Sequence, residues 1–247
     1  MSLEIHTIDE SDELAPKAQA HRLTDIREAV KDRNRVNLYI DGKFFCSLDI
    51  SQVVDFHLKI GQAIDDELKS QLKRASDFGK LYSRTLEYVF SRPHSIKEVR
   101  DYLHRKTLDK PVRVKNRKTN EYVTQIRKGY DSSLIEPILR RLDEHGYLDD
   151  EKFARAWIEN RNVKRGTSLK KLRNELALKG IDSRIIDKVL SENLRDDRDE
   201  LRKVIARKQN KYDDRQKLIQ YLMRQGFNYS DVLEELSETE DSSSWPA

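Results

Sequence analysis

The 247-residue chain has one cysteine, eight glycines and five prolines. A lone Cys46 excludes an intrachain disulfide and fits a reducing compartment. It lies in an expected strand and reads as a small core residue. Scarce glycine and proline, with 37% charged and 36% hydrophobic residues, suit helices with wide solvated faces better than a thick sheet core. No apolar run is long enough to cross a membrane. The acidic N-terminus lacks the apolar region of a signal peptide, so a cytoplasmic protein with no membrane partner is expected. His6, His21, His57, His94, His104 and His145 form neither an HExxH pattern nor a Cys/His cluster at ligand spacing. Lys164-Arg165-Gly166-Thr167 lacks the preceding glycine of a phosphate loop. No Ser or Cys nucleophile motif is present. The sequence therefore offers no argument for a metal, a cofactor or an enzymatic activity.

What is present is charge, unevenly placed. The formal net charge is +4. Residues 1–14 carry five acids and no Lys or Arg, and the stretch from Asp231 onward carries six acids and again no Lys or Arg. Between them, Arg92 to Tyr130 holds 12 basic and 4 acidic residues, +8, and Arg161 to Lys179 holds 7 basic and 1 acidic, +6. Basic blocks between acidic ends point to a polyanion or an acidic protein surface as partner; solvated helix faces are the plainer reading.

A junction recurs along the second half. Gly146-Tyr147-Leu148-Asp149-Asp150, Lys179-Gly180-Ile181-Asp182 and Gln225-Gly226-Phe227-Asn228 each place a glycine after an apolar periodic segment, then an apolar residue, then a capping side chain. Leu172 to Leu218, Leu176 to Leu222, Gly180 to Gly226 and Leu190 to Leu236 are each 46 apart. Ile96 to Leu169, Val99 to Leu172 and Leu103 to Leu176 are each 73 apart. The difference of 27 is an insertion in the first copy. The fold expected is mainly α: three tandem three-helix repeats in a curved, elongated array. A small α+β unit precedes it, with strands at Val36–Ile40 and Phe44–Leu48 around an Asp41-Gly42 hairpin turn.

The expected divisions are an acidic disordered tail at 1–20, the α+β unit at 21–78, a first repeat at 79–146, a second at 147–194, a third at 195–236 and a disordered tail at 237–247. His21 to Asp32 starts a helix or extends the tail, and a helix from Asp65 ends near Ala75. Ser95-Ile96-Lys97-Glu98 and Ser133-Leu134-Ile135-Glu136 read as capping boxes. Asp149, Asp150 and Glu151 read as caps rather than catalytic carboxylates. Within the first repeat, residues 107–132 read as a basic β-hairpin arm, because Val112 and Val114 alternate with Arg113 and Lys115, and Tyr122, Thr124 and Ile126 with Val123 and Gln125.

The candidate contact residues follow from the basic blocks. In the second repeat they are Arg161, Lys164, Arg165, Lys170, Lys171, Arg173 and Lys179; in the arm, Arg113, Lys115, Arg117, Lys118, Arg127 and Lys128, with Tyr122 and Tyr130 interleaved. Cations with aromatics suit phosphate contact and base stacking. Lys170, Lys171 and Arg173 are expected to point away from the Leu169/Leu172/Leu176 stripe, so that replacing all three by Glu leaves the fold intact.

Gly146-Tyr147-Leu148-Asp149-Asp150, then Phe153-Ala154, Arg165-Gly166, Leu172, Glu175-Leu176 and Lys179-Gly180-Ile181, resemble the RecX regulatory proteins. The likeness is strongest over Leu142 to Leu190 and covers roughly Leu81 to Leu236; the N-terminal unit is similar to an extension of longer family members. The resemblance implies a monomeric, non-enzymatic regulator that sits in the groove of the RecA recombinase filament and restrains its ATPase and strand exchange, in recombination, DNA repair and the SOS response. Some family members also touch DNA. The insertion and the acidic tails depart from the family pattern. A second reading is an independent binder of single-stranded nucleic acid, with duplex DNA as a further partner, using the arm and the second repeat.

Overall fold

The computed structural model describes residues 21–30, 32–115, 120–164, 166–192, 196–212 and 214–242. The expected tail at 1–20 lies outside them, as do Arg117, Lys118 and Arg165. The chain forms two compact units, dividing at Ser83/Arg84.

The first unit contains β1 (His21–Ala29), β2 (Asp32–Ile40), β3 (Lys43–Asp49), α1 (Ile50–Asp55), β4 (Ala63–Ile64) and most of α2 (Asp66–Ser91). Its antiparallel sheet has the order β3-β2-β1-β4. The Asp41-Gly42 hairpin is as expected: both residues take positive φ, 49° and 73°, as a two-residue turn requires. The Asp41 carboxylate accepts a hydrogen bond from the Arg22 backbone N–H at 3.0 Å, tying the turn to β1. Leu23, Leu38, Cys46, Leu48, Ile64 and Leu72 are buried together, and burial pushes the Cys46 thiol up to about 11. Cys46 is thus a core residue.

Two expectations fail in this unit. Residues 21–29 are a strand, not a helix start or tail. Register shifts at Leu23/Asp25 and Glu28/Ala29 break the alternation by which a strand is recognised, and pairing on both sides supplies what the pattern lacks. The helix expected to end near Ala75 runs unbroken to Ser91, so the expected division at 78/79 falls inside α2. Gly79 sits within it, where a Cβ would lie 2.9 Å from Asp49 Oδ2 and 3.3 Å from Arg35 Nη1. That glycine lets the helix pass the Arg35–Asp49 ion pair rather than ending it. Along α2, Leu81 and Thr85 are buried and Phe90 is exposed.

The second unit contains α3 (Ile96–Thr107), β5 (Lys110–Lys115), β6 (Tyr122–Arg127), a 3-10 turn (Ser132–Leu134), α4 (Ile135–Glu144), α5 (Asp150–Lys164), α6 (Leu169–Leu178), α7 (Ser183–Ser191), α8 (Asp197–Lys208), α9 (Arg215–Arg224) and α10 (Tyr229–Ser242). From α5 onward the helices fall into triplets: α5–α7 around Phe153, Leu172, Leu176 and Ile186, and α8–α10 around Val204, Leu218, Leu222 and Val232. The caps of the middle helices recur at the spacings found in the sequence. Ser95 accepts from Glu98 N–H, Ser168 from Lys171 N–H and Asp214 from Gln216 N–H.

The capping boxes are only half right. Glu98 does not return to the Ser95 backbone. At the other, Asp131 caps the 3-10 turn, α4 begins at Ile135, and Glu136 pairs with Arg100. Helix α10 continues to Ser242, past the expected end at Leu236, because acidic residues continue a helix as readily as they form a tail.

Gly146, Gly180 and Gly226 all have positive φ (67°, 80° and 90°), as the junction pattern requires. They differ in their surroundings. A Cβ on Gly146 meets nothing within 4 Å, whereas one on Gly180 would lie 2.8 Å from Lys97 Cβ. Gly146→Ala should cost about 1–2 kcal/mol, from backbone strain alone. Gly180→Ala should cost more, and Gly180→Val more again, because a neighbouring helix must also move. Thermal melts of the three variants check the order; equal midpoints for Gly146→Ala and Gly180→Ala would contradict it.

Candidate interaction surfaces: the module joints and the basic arm

The triplets are joined by helix ends. Helix α3 starts with free N–H groups, and α6 ends with free carbonyls. Asp150, the first residue of α5, accepts from the Ile96 N–H at 2.9 Å, and Ser95 Oγ donates to the Lys179 carbonyl at 2.8 Å. Lys97 Nζ donates to the Leu178 carbonyl at 2.9 Å. The same joint recurs one triplet on. Asp197, the first residue of α8, accepts from the Leu169 N–H at 2.9 Å, and Ser168 Oγ donates to the Gln225 carbonyl at 3.1 Å. Lys171 Nζ donates to the Arg224 carbonyl at 3.2 Å and to Gln225 Oε1 at 2.9 Å. Ser95 and Ser168 are fully buried. Each joint brings the positive end of one helix, and a lysine, to the negative end of another.

An ion cluster reinforces the first joint. Glu98 accepts from Lys179 Nζ at 2.7 Å and Arg92 Nη1 at 3.2 Å, and His94 Nδ1 lies 3.2 Å away. Burial favours the protonated acid, but Lys179 and then Arg92 outweigh it and hold the Glu98 carboxyl at about 2. Burial, then Arg92, lowers the His94 pKa, favouring its neutral form. Burial raises Asp150. Lys179 also stands 4.9 Å over the Trp157 ring, whose Nε1 donates to Glu175 at 3.0 Å.

The arm is built at its base and bare along its length. A Cβ on Gly129 would lie 2.0 Å from the Thr107 carbonyl oxygen, so only glycine lets the two ends of the arm cross. Gly129 N–H donates to Asp109 Oδ1 at 2.8 Å, Tyr130 N–H to the Lys106 carbonyl at 3.0 Å, and Arg84 Nη1 to Tyr130 Oη at 3.1 Å. The strands pair Lys110 with Arg127, Pro111 with Ile126, Val112 with Gln125, Arg113 with Thr124, Val114 with Val123 and Lys115 with Tyr122. Cross-strand partners share a face. One face therefore carries Pro111, Arg113, Lys115, Tyr122, Thr124 and Ile126, and the other Lys110, Val112, Val114, Val123, Gln125 and Arg127. Every residue of β6 is exposed.

The candidate cations now divide. Lys171 and Lys179 are half-buried and committed to the joints, contrary to the expectation that Lys171 points freely outward. The leucine stripe fixes only which face of α6 meets its own core, and a second buried face comes from the neighbouring triplet. Arg173 pairs with Asp187, and Lys170 is exposed. Arg161 and Lys164 lie on α5. In the arm, Arg113, Lys115, Arg127 and Lys128 are exposed and form no ion pair among the described residues. Sequence reasoning missed Lys97, Ser95 and Ser168 as joint residues. The separation of 73 that relates the leucines also relates the two serines, and their burial was the missing fact.

The architecture is that of a helical-repeat protein of three-helix modules preceded by a β-rich unit. Among the described residues no His, Cys, Asp and Glu group is placed to hold a metal, and no helix is long and apolar enough to cross a membrane. Residues 21–65 match the regulatory protein RecX N-terminal domain, and residues 149–190 the RecX second three-helix domain. The chain is 29% identical to the regulatory protein RecX of Bacillus licheniformis, over 88% of this chain and 77% of that protein. It is 26% identical to that of Clostridium tetani, over 87% and 93%. A crystal structure of regulatory protein RecX superposes with a TM-score of 0.63 at 22% identity, covering 85% of this chain and 96% of the other, a likeness of fold. Over these two domains the chain is similar to the RecX family of regulatory proteins.

Two measurements test the joints. The Glu98 pKa is lowered on folding, so its contribution is complete above the ordinary value of 4.5 and is lost as pH falls toward about 2. Glu98→Gln should cost about 1–3 kcal/mol at pH 7 and make the acid limb of the stability profile shallower between those values. An unchanged acid limb would exclude the cluster as its source. Separately, Lys171→Glu should lower the melting midpoint by several degrees, whereas Lys170→Glu should change it little. Equal effects would place Lys171 outside the joint.

Proposed function

We propose that the protein binds the RecA recombinase filament and restrains its ATPase and strand exchange, acting in recombination, DNA repair and the SOS response. The observation that supports this reading is that the β-rich unit and the second helix triplet each match a domain of the regulatory RecX family. The polar residues of the joints favour it further, because they serve packing between modules rather than a reacting centre. On this reading the protein is a cytoplasmic monomer without cofactor or membrane partner. Its working divisions are an N-terminal unit at 21–78 and modules at 79–146, 147–194 and 195–236, with the arm at 107–132. The first module begins inside α2. Of the described candidates, Lys170, Arg113, Lys115, Arg127 and Lys128 take part in no joint and no ion pair.

The test is the rate of ATP hydrolysis by RecA on single-stranded DNA against added protein. Inhibition is expected at substoichiometric amounts, because a binder in a filament groove blocks growth as well as occupying its site. No effect at saturating amounts would reject the proposal.

A further inference from the structure

We infer that the arm is a nucleic-acid-binding ribbon, and that its working face is the one carrying Arg113, Lys115 and Tyr122. Its ligand is a single polyphosphate strand lying along that face, with an unpaired base stacked on Tyr122. This inference does not depend on the RecA reading.

The strand register carries it. Alternation within each strand leaves open which residues of β5 and β6 share a side. The pairing of Lys115 with Tyr122 and of Arg113 with Thr124 puts both cations, the aromatic ring and a hydroxyl on one face. Arg113 and Lys115 are two residues apart, an advance of about 6.8 Å along a strand. That is twice the ~3.4 Å per charge of one nucleic-acid strand. Residues 108–128 hold seven basic and two acidic residues, +5, so the whole ribbon attracts a polyanion.

A plainer account is that lysines guard the open edges of a two-stranded ribbon. Edge protection explains cations on either face. It does not explain why Tyr122, 66% exposed, and Ile126, 62% exposed, stand beside Arg113 and Lys115 on one face, whereas Lys110 and Arg127 on the other have no aromatic beside them. An acidic protein surface would also attract the cations, but an aromatic ring among them is the arrangement that binds bases without sequence preference. The base of the arm argues for a presented element rather than a slack loop: Gly129, Asp109, Tyr130 and Arg84 fix its exit. A two-stranded ribbon has little stability of its own. A ligand along one face would supply the missing partner.

The experiment uses the full chain without RecA. Fluorescence anisotropy follows binding to a labelled oligothymidylate and to a blunt DNA duplex across a salt series, with circular dichroism to confirm folding. Arg113→Gln/Lys115→Gln should weaken oligothymidylate binding at least about tenfold and reduce the salt slope by about 1.4, the value for two phosphate contacts on a single strand. Tyr122→Ala should weaken single-strand binding about tenfold and leave duplex binding unchanged. Gln125→Glu, on the opposite face, makes the same one-unit charge change as Arg113→Gln and should weaken binding far less. Failure of the parent to bind oligothymidylate would overturn the inference. So would equal losses from Gln125→Glu and Arg113→Gln, since net charge rather than a face would then govern binding. An unaffected Tyr122→Ala variant would overturn the stacking assignment. Because RecA is absent throughout, none of these outcomes bears on the ATPase test.

Discussion

Every helix leaves unpaired N–H groups at one end and unpaired carbonyls at the other, and a helical array must satisfy both where it buries them. Here the modules solve this for one another. The start of α3 meets the end of α6, and the start of α6 meets the end of α9, with a buried serine donating to a terminal carbonyl each time. An aspartate opening the following module returns an acceptor to the first N–H of the preceding middle helix. The joint is thus polar and directional, set by hydrogen-bond geometry rather than by apolar area.

That joint accounts for features that look functional in isolation. Asp149, Asp150 and Glu151 could pass for a catalytic acidic cluster. Asp149 caps its own helix through the Lys152 N–H, Asp150 caps the helix of another module, and Glu151 pairs with Arg155 and Lys188. Lys171 and Lys179 belong to a strongly basic block, yet their charges meet carbonyls and carboxylates inside the protein. A positive block is therefore a poor guide to a binding surface until the internal partners of each cation are known. The arm is the opposite case, its described cations having no internal ion partner.

Much of the helical unit was legible in the sequence. Leucine and glycine spacings of 46 and 73 gave the module lengths, and glycine followed by an apolar residue and a cap gave three helix ends, because left-handed backbone and orphan N–H groups have few side-chain solutions. Asp-Gly marked the first hairpin for the same reason. Residues 21–29 were not legible, because two register shifts erase the period-2 signal, and α2 was cut short because nothing local shows a helix passing an ion pair at a glycine.

The sequence by itself determined local conformation: the glycine-marked helix ends of the modules, where a turn reverses, and the leucine stripes of the middle helices. These depend on residues a few positions apart, whose interactions survive in any surroundings. The tertiary structure alone decided which of the cations are spent internally, which arm residues share a face, and that an aspartate of one module caps a helix of another. Those facts rest on partners 11, 54 and 84 residues away, Thr124 for Arg113 in register, Gln225 for Lys171 and Lys179 for Ser95, and chain separation carries no signal of which distant groups will meet.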